Sequence, residues 1–254
     1  MIRPLNRCTI HAIGLILSVL LAGHAFAADS AVERAGVFTQ QQCPMTGINL
    51  AAVEHPVRAT FDGRDINFCS EKCPSEFKAN LARNLELLDT AIIDAQSPLY
   101  PVGECIVDGA PLPIDPNLAV SFVYGNLLVR LRSPECKALF DANPEQYLRG
   151  LESSVIAQQL PDYPLDVCVV SGDKLSGKDA KPVNYVLGHR LIRFCKRCDE
   201  YCAPRVLENP ARYFRLIDIA RTDPNFPPKS HQGFHTLEEL RYEAESKAST
   251  DPAS

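Results

Sequence analysis

Cys43-Pro-Met-Thr-Gly47, Cys105-Ile-Val-Asp-Gly109 and Cys168-Val-Val-Ser-Gly172 are one motif, Cys-x-x-x-Gly, at spacings of 62 and 63 residues. Recurrence on this scale signals one supersecondary unit used three times. The lead-in repeats too, as Tyr100-Pro101-Val102 and Tyr163-Pro164-Leu165. Downstream of each motif two apolar stretches flank a Gly-containing pair: 57–61 and 64–68 around Asp62-Gly63, 120–124 and 127–131 around Gly125-Asn126, 183–187 and 190–194 around Gly188-His189. β-branched and aromatic residues about such a pair predict a β-hairpin.

A cysteine and a helix follow each hairpin. Cys73 to Asn80, Cys136 to Asn143 and Cys202 to Asn209 align without gaps, and Pro144 and Pro210 follow the last two. Proline disfavours helix at the residue before it and suits the first turn of a new one, so two helical pieces are expected there. Leu81 stands in place of that proline in the first copy, where the helix is expected to run through to about Ala95. The fold class is therefore α+β, three tandem small β-hairpin–helix units over 28–97, 98–160 and 161–222, with a C-terminal tail over 223–254. A short helix from Leu237 to Lys247 and disorder from Ser249 are expected in that tail. Units of about 45 residues need a metal, a disulfide or a neighbour to complete a core.

The N-terminus sets the chemistry open to the thiols. Arg3 and Arg7 precede an apolar run from Ile13 to Ala22, and Ala25-Phe26-Ala27 is a small-x-small site. This reads as a secretory signal peptide over 1–27, too short in its apolar part to span a bilayer. A periplasmic or secreted protein is expected, with no membrane span after cleavage. Losing Arg3 and Arg7 and no acid moves the net charge from −5 to −7. That acidity argues against nucleic acid as a partner. Cys8 is lost as well, leaving nine of the ten cysteines. Nine is odd, so at least one thiol is free, metal-bound or shared with another chain.

The predicted elements place the first thiol of each copy in a Gly-closed turn and the last in the first turn of a helix, where a free thiol's pKa falls. The first copy adds Cys69 at the strand end, giving Cys43, Cys69 and Cys73 as three soft ligands. The third offers Cys168, Cys195, Cys198 and Cys202, a set that meets the tetrahedral preference of zinc. Soft thiolates also suit Cu(I). The second has only Cys105 and Cys136, with Arg132 where Cys69 stands in the first, and this pair is a disulfide candidate in an oxidising compartment.

The order Cys-x-x-x-Gly, hairpin with Gly at its turn, Phe-Cys-x-x-x-Cys, then Phe and Asn-Pro in a helix resembles the TRASH/YHS superfamily of small treble-clef-like domains. "YPLDVCVVSGDKL" followed by "VNYVLGHRLIRFC" is similar to its metal-binding members in exported bacterial proteins. The resemblance covers 43–90, 100–150 and 163–217. It implies heavy-metal sensing, trafficking or resistance, with Cys43, Cys69 and Cys73 as ligands in the first copy and Cys168 and Cys202 in the third. There the Cys-x-x-x-Cys register selects Cys198, whereas the Phe-Cys pair selects Cys195 after Phe194. The Tyr-His-Ser triplet that names one branch is absent, and the second copy lacks a family cysteine, which implies a degenerate unit without metal.

Other features read as ordinary. Cys195-Lys-Arg-Cys198 has the spacing of a redox dithiol but no βαβ pattern around it, and Asp199 stands where covalent haem attachment needs His. His231 and His235 read as a polar loop, and His55 and His189 as surface residues. No enzyme constellation appears. The function expected is that of a non-enzymatic cell-envelope protein binding zinc or copper through thiolates, with an envelope protein as its candidate partner. A non-catalytic disulfide-stabilised scaffold stands as the alternative, and a thiol-disulfide oxidoreductase as the third option. N-terminal sequencing of protein from the envelope fraction is expected to read from Ala28, and Met1 retained in cytosol would contradict the export assignment.

Overall fold

The computed structural model describes residues 30–115, 118–178, 182–195, 202–223 and 226. The signal segment, His231, His235 and the tail helix expected at Leu237–Lys247 lie outside them. A short helix α1 (Ala31–Gly36) comes first. Three two-stranded antiparallel sheets follow, each with a shorter and then a longer helix behind it. They are β1 (Val57–Phe61) and β2 (Arg64–Phe68) before α2 (Cys73–Ala79) and α3 (Leu81–Gln96), then β3 (Val120–Tyr124) and β4 (Leu127–Leu131) before α4 (Pro134–Ala142) and α5 (Pro144–Gln159). The third set is β5 (Pro182–Leu187) and β6 (Arg190–Cys195) before α6 (Cys202–Glu208) and α7 (Pro210–Thr222).

The hairpin registers follow from two-residue turns. Phe61 pairs with Arg64, Tyr124 with Leu127 and Leu187 with Arg190. Asp62 and Gly63 lie at φ 50° and 73°, Gly188 and His189 at 55° and 61°. Two left-handed centres match the right-handed twist of the flanking strands. Each hairpin buries its inner face against its own helices in a separate apolar cluster. Phe68 meets Phe77 edge-on at 5.5 Å and Phe122 meets Phe140 at 5.6 Å, while in the third cluster Tyr185 and Phe194 meet within the hairpin at 4.8 Å beside Phe214 of α7. Phe77, Phe140 and Phe194 are fully buried, and truncating such a ring to Ala costs about 3–5 kcal/mol.

One helix boundary corrects the expectation for the first copy. The chain breaks at Asn80 although no proline follows, with φ −132° and ψ 51°, close to the −153° and 67° of Asn143 and the −143° and 77° of Asn209. Packing, not proline, makes the break. Phe77 is held in the core, and Asn84 Nδ2 donates to the Phe77 carbonyl at 2.8 Å, satisfying an end group of α2.

A two-stranded sheet leaves open edges, and side chains close them here. Gln96, at the end of α3, donates Nε2 to Asn126 O at 2.9 Å and accepts from Leu128 N at 2.8 Å. Gln159, at the end of α5, makes the same pair of bonds to His189 O and Leu191 N at 2.8 and 2.9 Å. The Tyr100 hydroxyl accepts from Arg130 N at 3.1 Å, and the Tyr163 hydroxyl accepts from Arg193 N at 3.1 Å. α3 and α5, each with the tyrosine after it, thus grip the outer edge of the next hairpin. Among the described residues no helix is long and apolar enough to cross a membrane.

The hairpin turns themselves wedge into neighbours. Asn126 is buried, its N–H donating to Ala35 O and its amide to Gly36 O and Asp65 O. A Cβ at Gly188 would collide with the side chain of Thr39. His189 is 1% exposed, which corrects its reading as a surface residue. Its Nε2 donates to Leu128 O at 2.9 Å and its ring meets Tyr100 edge-on at 5.1 Å. Turn residues are exposed only when the turn faces water, and this one faces β4. His55 does sit at the surface, beside Glu208.

Burial holds His189 at about 4, against an ordinary 6.5. The neutral ring is the folded form, so as pH falls the unfolded chain takes up the proton first. Stability is full above about pH 6.5 and falls by about 3 kcal/mol on going down to about pH 4. Urea midpoints across that window are expected to show this loss. The loss should be smaller in His189→Asn, whose residue tolerates the left-handed backbone and does not titrate.

Candidate metal centre

Each cysteine motif folds into the same tight turn. Cys43 N–H donates to Ile48 O at 2.8 Å and Gly47 N–H to Cys43 O at 2.9 Å. The counterparts are Cys105 to Ala110 O at 2.7 Å with Gly109 to Cys105 O, and Cys168 to Asp173 O at 2.6 Å with Gly172 to Cys168 O. Bridges Gln42–Asn49, Glu104–Pro111 and Val167–Lys174 close the three loops. Gly47, Gly109 and Gly172 lie at φ 72°, 71° and 74°, a backbone that a Cβ strains. The glycine turns the chain back so that the cysteine side chain faces the hairpin.

Two of these turns complete a thiol triad. Cys43 meets Cys69, which follows β2, and Cys73, which opens α2. The Sγ atoms of Cys43 and Cys73, and of Cys69 and Cys73, are 3.8 Å apart, and all three lie within 4.8 Å of one another. Cys168 likewise meets Cys195, the last residue of β6, and Cys202, the first of α6. Cys168 and Cys202 are 3.8 Å apart and the triad lies within 4.8 Å. No disulfide joins any of the six thiols. Two thiolates sharing a tetrahedral zinc at about 2.3 Å stand roughly 3.8 Å apart, so the donor sets fit a thiophilic ion in size and softness. Cys198 lies outside the described residues, and Cys195 is the thiol the strand end delivers.

Electrostatics separates the thiols. Burial works against the Cys43 thiolate. The Thr46 hydroxyl and the backbone N–H groups of Cys69, Met45 and Thr46 outweigh it and bring the thiol to about 7. Cys73 is pushed up, by burial first and then by its thiol neighbours. Cys168 is brought down to about 5, chiefly by a hydrogen bond from Cys202, with burial opposing and Ser171 assisting through its hydroxyl and backbone. Ser171 N–H lies 3.4 Å from that sulfur. A thiolate ready at neutral pH is the form that binds metal. The triads differ in access, since Cys69 is half-buried whereas Cys168, Cys195 and Cys202 are all buried.

The second group is built differently. Cys105 and Cys136 converge as the others do, within 4.8 Å of each other and of an Asp108 oxygen, and both thiols are free. The strand-end position holds Arg132, whose Nε lies 2.5 Å from Asp108 Oδ2. Cys136 Sγ is 3.5 Å from the same oxygen. Arg132 holds the Asp108 carboxyl down at about 2. A guanidinium thus stands where a third thiolate would be, with its counter-charge supplied from the turn.

Asp108 was not singled out from sequence, nor were Thr46 and Ser171. All three hold the position just before the turn glycine and face the strand-end residue. Thr46 Oγ1 is 3.1 Å from Cys69 Sγ, Ser171 Oγ is 3.5 Å from Cys195 Sγ, and Asp108 pairs with Arg132. The signal was a covariation within the chain: hydroxyl opposite thiol twice, carboxylate opposite guanidinium once. Comparison with family models, with curated proteins and with solved structures gives no match. Gly172→Ala meets no neighbour within 4 Å, so its cost is conformational. It is expected to lower urea stability by about 1–2 kcal/mol, with Gly172→Asn losing less. Equal stability of all three proteins would contradict a strained turn.

Proposed function

We propose that the chain is an exported cell-envelope protein that binds a soft or borderline metal ion, zinc or copper, in metal trafficking or resistance. One observation carries the reading: two separate thiol triads, each assembled from a turn, a strand end and a helix start, with neighbouring sulfurs 3.8 Å apart. Such convergence of thiols, five of the six buried, costs desolvation that a bound cation repays. In this reading Cys168, Cys195 and Cys202, with Cys198 as a fourth thiol, hold an ion in a closed site suited to structural support. Cys43, Cys69 and Cys73 leave a fourth position open beside half-buried Cys69, which suits exchange with a partner. The three segments would be divergent copies of a TRASH/YHS-like, treble-clef-like unit, the second having replaced its ion with Arg132 and Asp108.

The test is metal content of reduced, metal-replete protein. Cys202→Ala is expected to lose one equivalent and to destabilise the third segment together, because site formation and folding are linked in small units. Cys136→Ala should keep the metal content unchanged. Arg132→Cys, which restores the strand-end thiol, should add one equivalent. Equal loss from Cys202→Ala and Cys136→Ala, or no metal at all, would contradict the reading.

A further inference from the structure

The helix that opens with Cys202 ends on the first hairpin. Over its seven residues α6 spans about 10 Å. Its last carbonyls have no partner within the helix, and residues of the first segment supply them. Arg58 Nη2 donates to Leu207 O at 2.7 Å, and Asn67 Nδ2 to Glu208 O at 3.0 Å. Asn67 stands two residues before Cys69. The next residue, Asn209, is 4% exposed and donates Nδ2 to both Leu50 O and Val53 O at 3.0 Å. Leu50 begins the 3-10 turn directly behind the Cys43 loop, where its N–H donates to Gln41 O. Ala211, from α7, is buried in the same apolar cluster as Cys43, Leu50 and Cys73.

The matching helix junction of the second group is local. Asn143 is the counterpart of Asn209, and its amide donates to Gln146 of its own helix at 2.9 Å. The two segments that carry full thiol triads are thus joined directly at the α6–α7 junction, by Asn209 and the carbonyls before it. We propose that these sites are coupled through α6 and Asn209, so that an ion held at either triad raises the affinity of the other. The inference rests on the metal-binding reading above. The physical link is folding. Ordering Cys202 at the head of α6 orders its tail, and the tail completes the packing behind Cys43 and Cys69. An ion at Cys43, Cys69 and Cys73 fixes the same contacts from the other side, and linkage makes the effect reciprocal.

The experiment titrates Zn2+ alone, against a chromophoric competitor, into the reduced, metal-free full chain and three variants, with circular dichroism to follow folding. The unaltered chain is expected to take up two ions. Cys202→Ala should weaken the Cys43–Cys69–Cys73 site about tenfold, and Cys73→Ala should weaken the third site by the same factor. Asn209→Ala should still bind two ions but lose most of that factor. If Cys202→Ala loses its helical signal, the stepwise constants of the unaltered chain set against those of Asn209→Ala carry the same test. Two ions bound with independent affinities, or coupling undiminished in Asn209→Ala, would overturn the inference while leaving the metal-binding reading in place. No zinc uptake by the unaltered chain would overturn both.

Discussion

A two-stranded hairpin has two open edges and only one face to bury, so it cannot stand alone in water. The arrangement of this protein follows from that constraint. The inner face of each hairpin is covered by its own helix pair through Phe77, Phe140 or Phe214. The outer edges of β4 and β6 are covered by the preceding segment, through Gln96 and Tyr100 and then through Gln159 and Tyr163. These partners recur at a spacing of 63 residues, the same as that between Cys105 and Cys168. Turns that would otherwise point to solvent become wedges, which is why Asn126 and His189 are buried.

With the hairpins fixed, the thiol geometry needs little more. A left-handed glycine folds the first cysteine back, the strand delivers the second, and the helix start delivers the third. The chemistry of each group then depends on one position in the turn and one at the strand end. Hydroxyl with thiol gives a triad of soft donors at Cys43 and at Cys168. Carboxylate with guanidinium gives the Asp108–Arg132 pair at 2.5 Å. In the second group arginine stands at the strand end in place of cysteine, and the turn supplies its counter-charge.

Much of this was legible in the sequence, for definite reasons. Two-residue turns carrying Gly or Asp-Gly mark hairpins strongly, and the strands at 57–68 and 120–131 fall where the pattern put them. Cys43, Cys69 and Cys73 were readable as a group because the fourfold spacing of Cys69 and Cys73 and the turn motif are local. Other features depended on packing that no single segment encodes. Gln96 and Gln159 look like ordinary polar residues near helix ends, and only the neighbouring strand edge gives them a role. The break at Asn80 needs no proline because Phe77 and Asn84 enforce it. That Cys195 joins Cys168 and Cys202 depends on strand length, since β6 extends to Cys195, opposite Pro182.

The thiols from Cys43 to Cys202 divide between two metal-binding groups and one pair in the proposed reading, and that division can be read in one measurement. Reduced, metal-replete protein is weighed intact for bound ions and then alkylated under native conditions, with each cysteine's modification quantified by peptide mapping. The account predicts two ions per chain, with Cys43, Cys69, Cys73, Cys168, Cys195, Cys198 and Cys202 protected until a chelator is added, and Cys105 and Cys136 indifferent to the chelator. No bound ion, or protection of Cys105 and Cys136 that the chelator removes as fully as that of the seven, would contradict it.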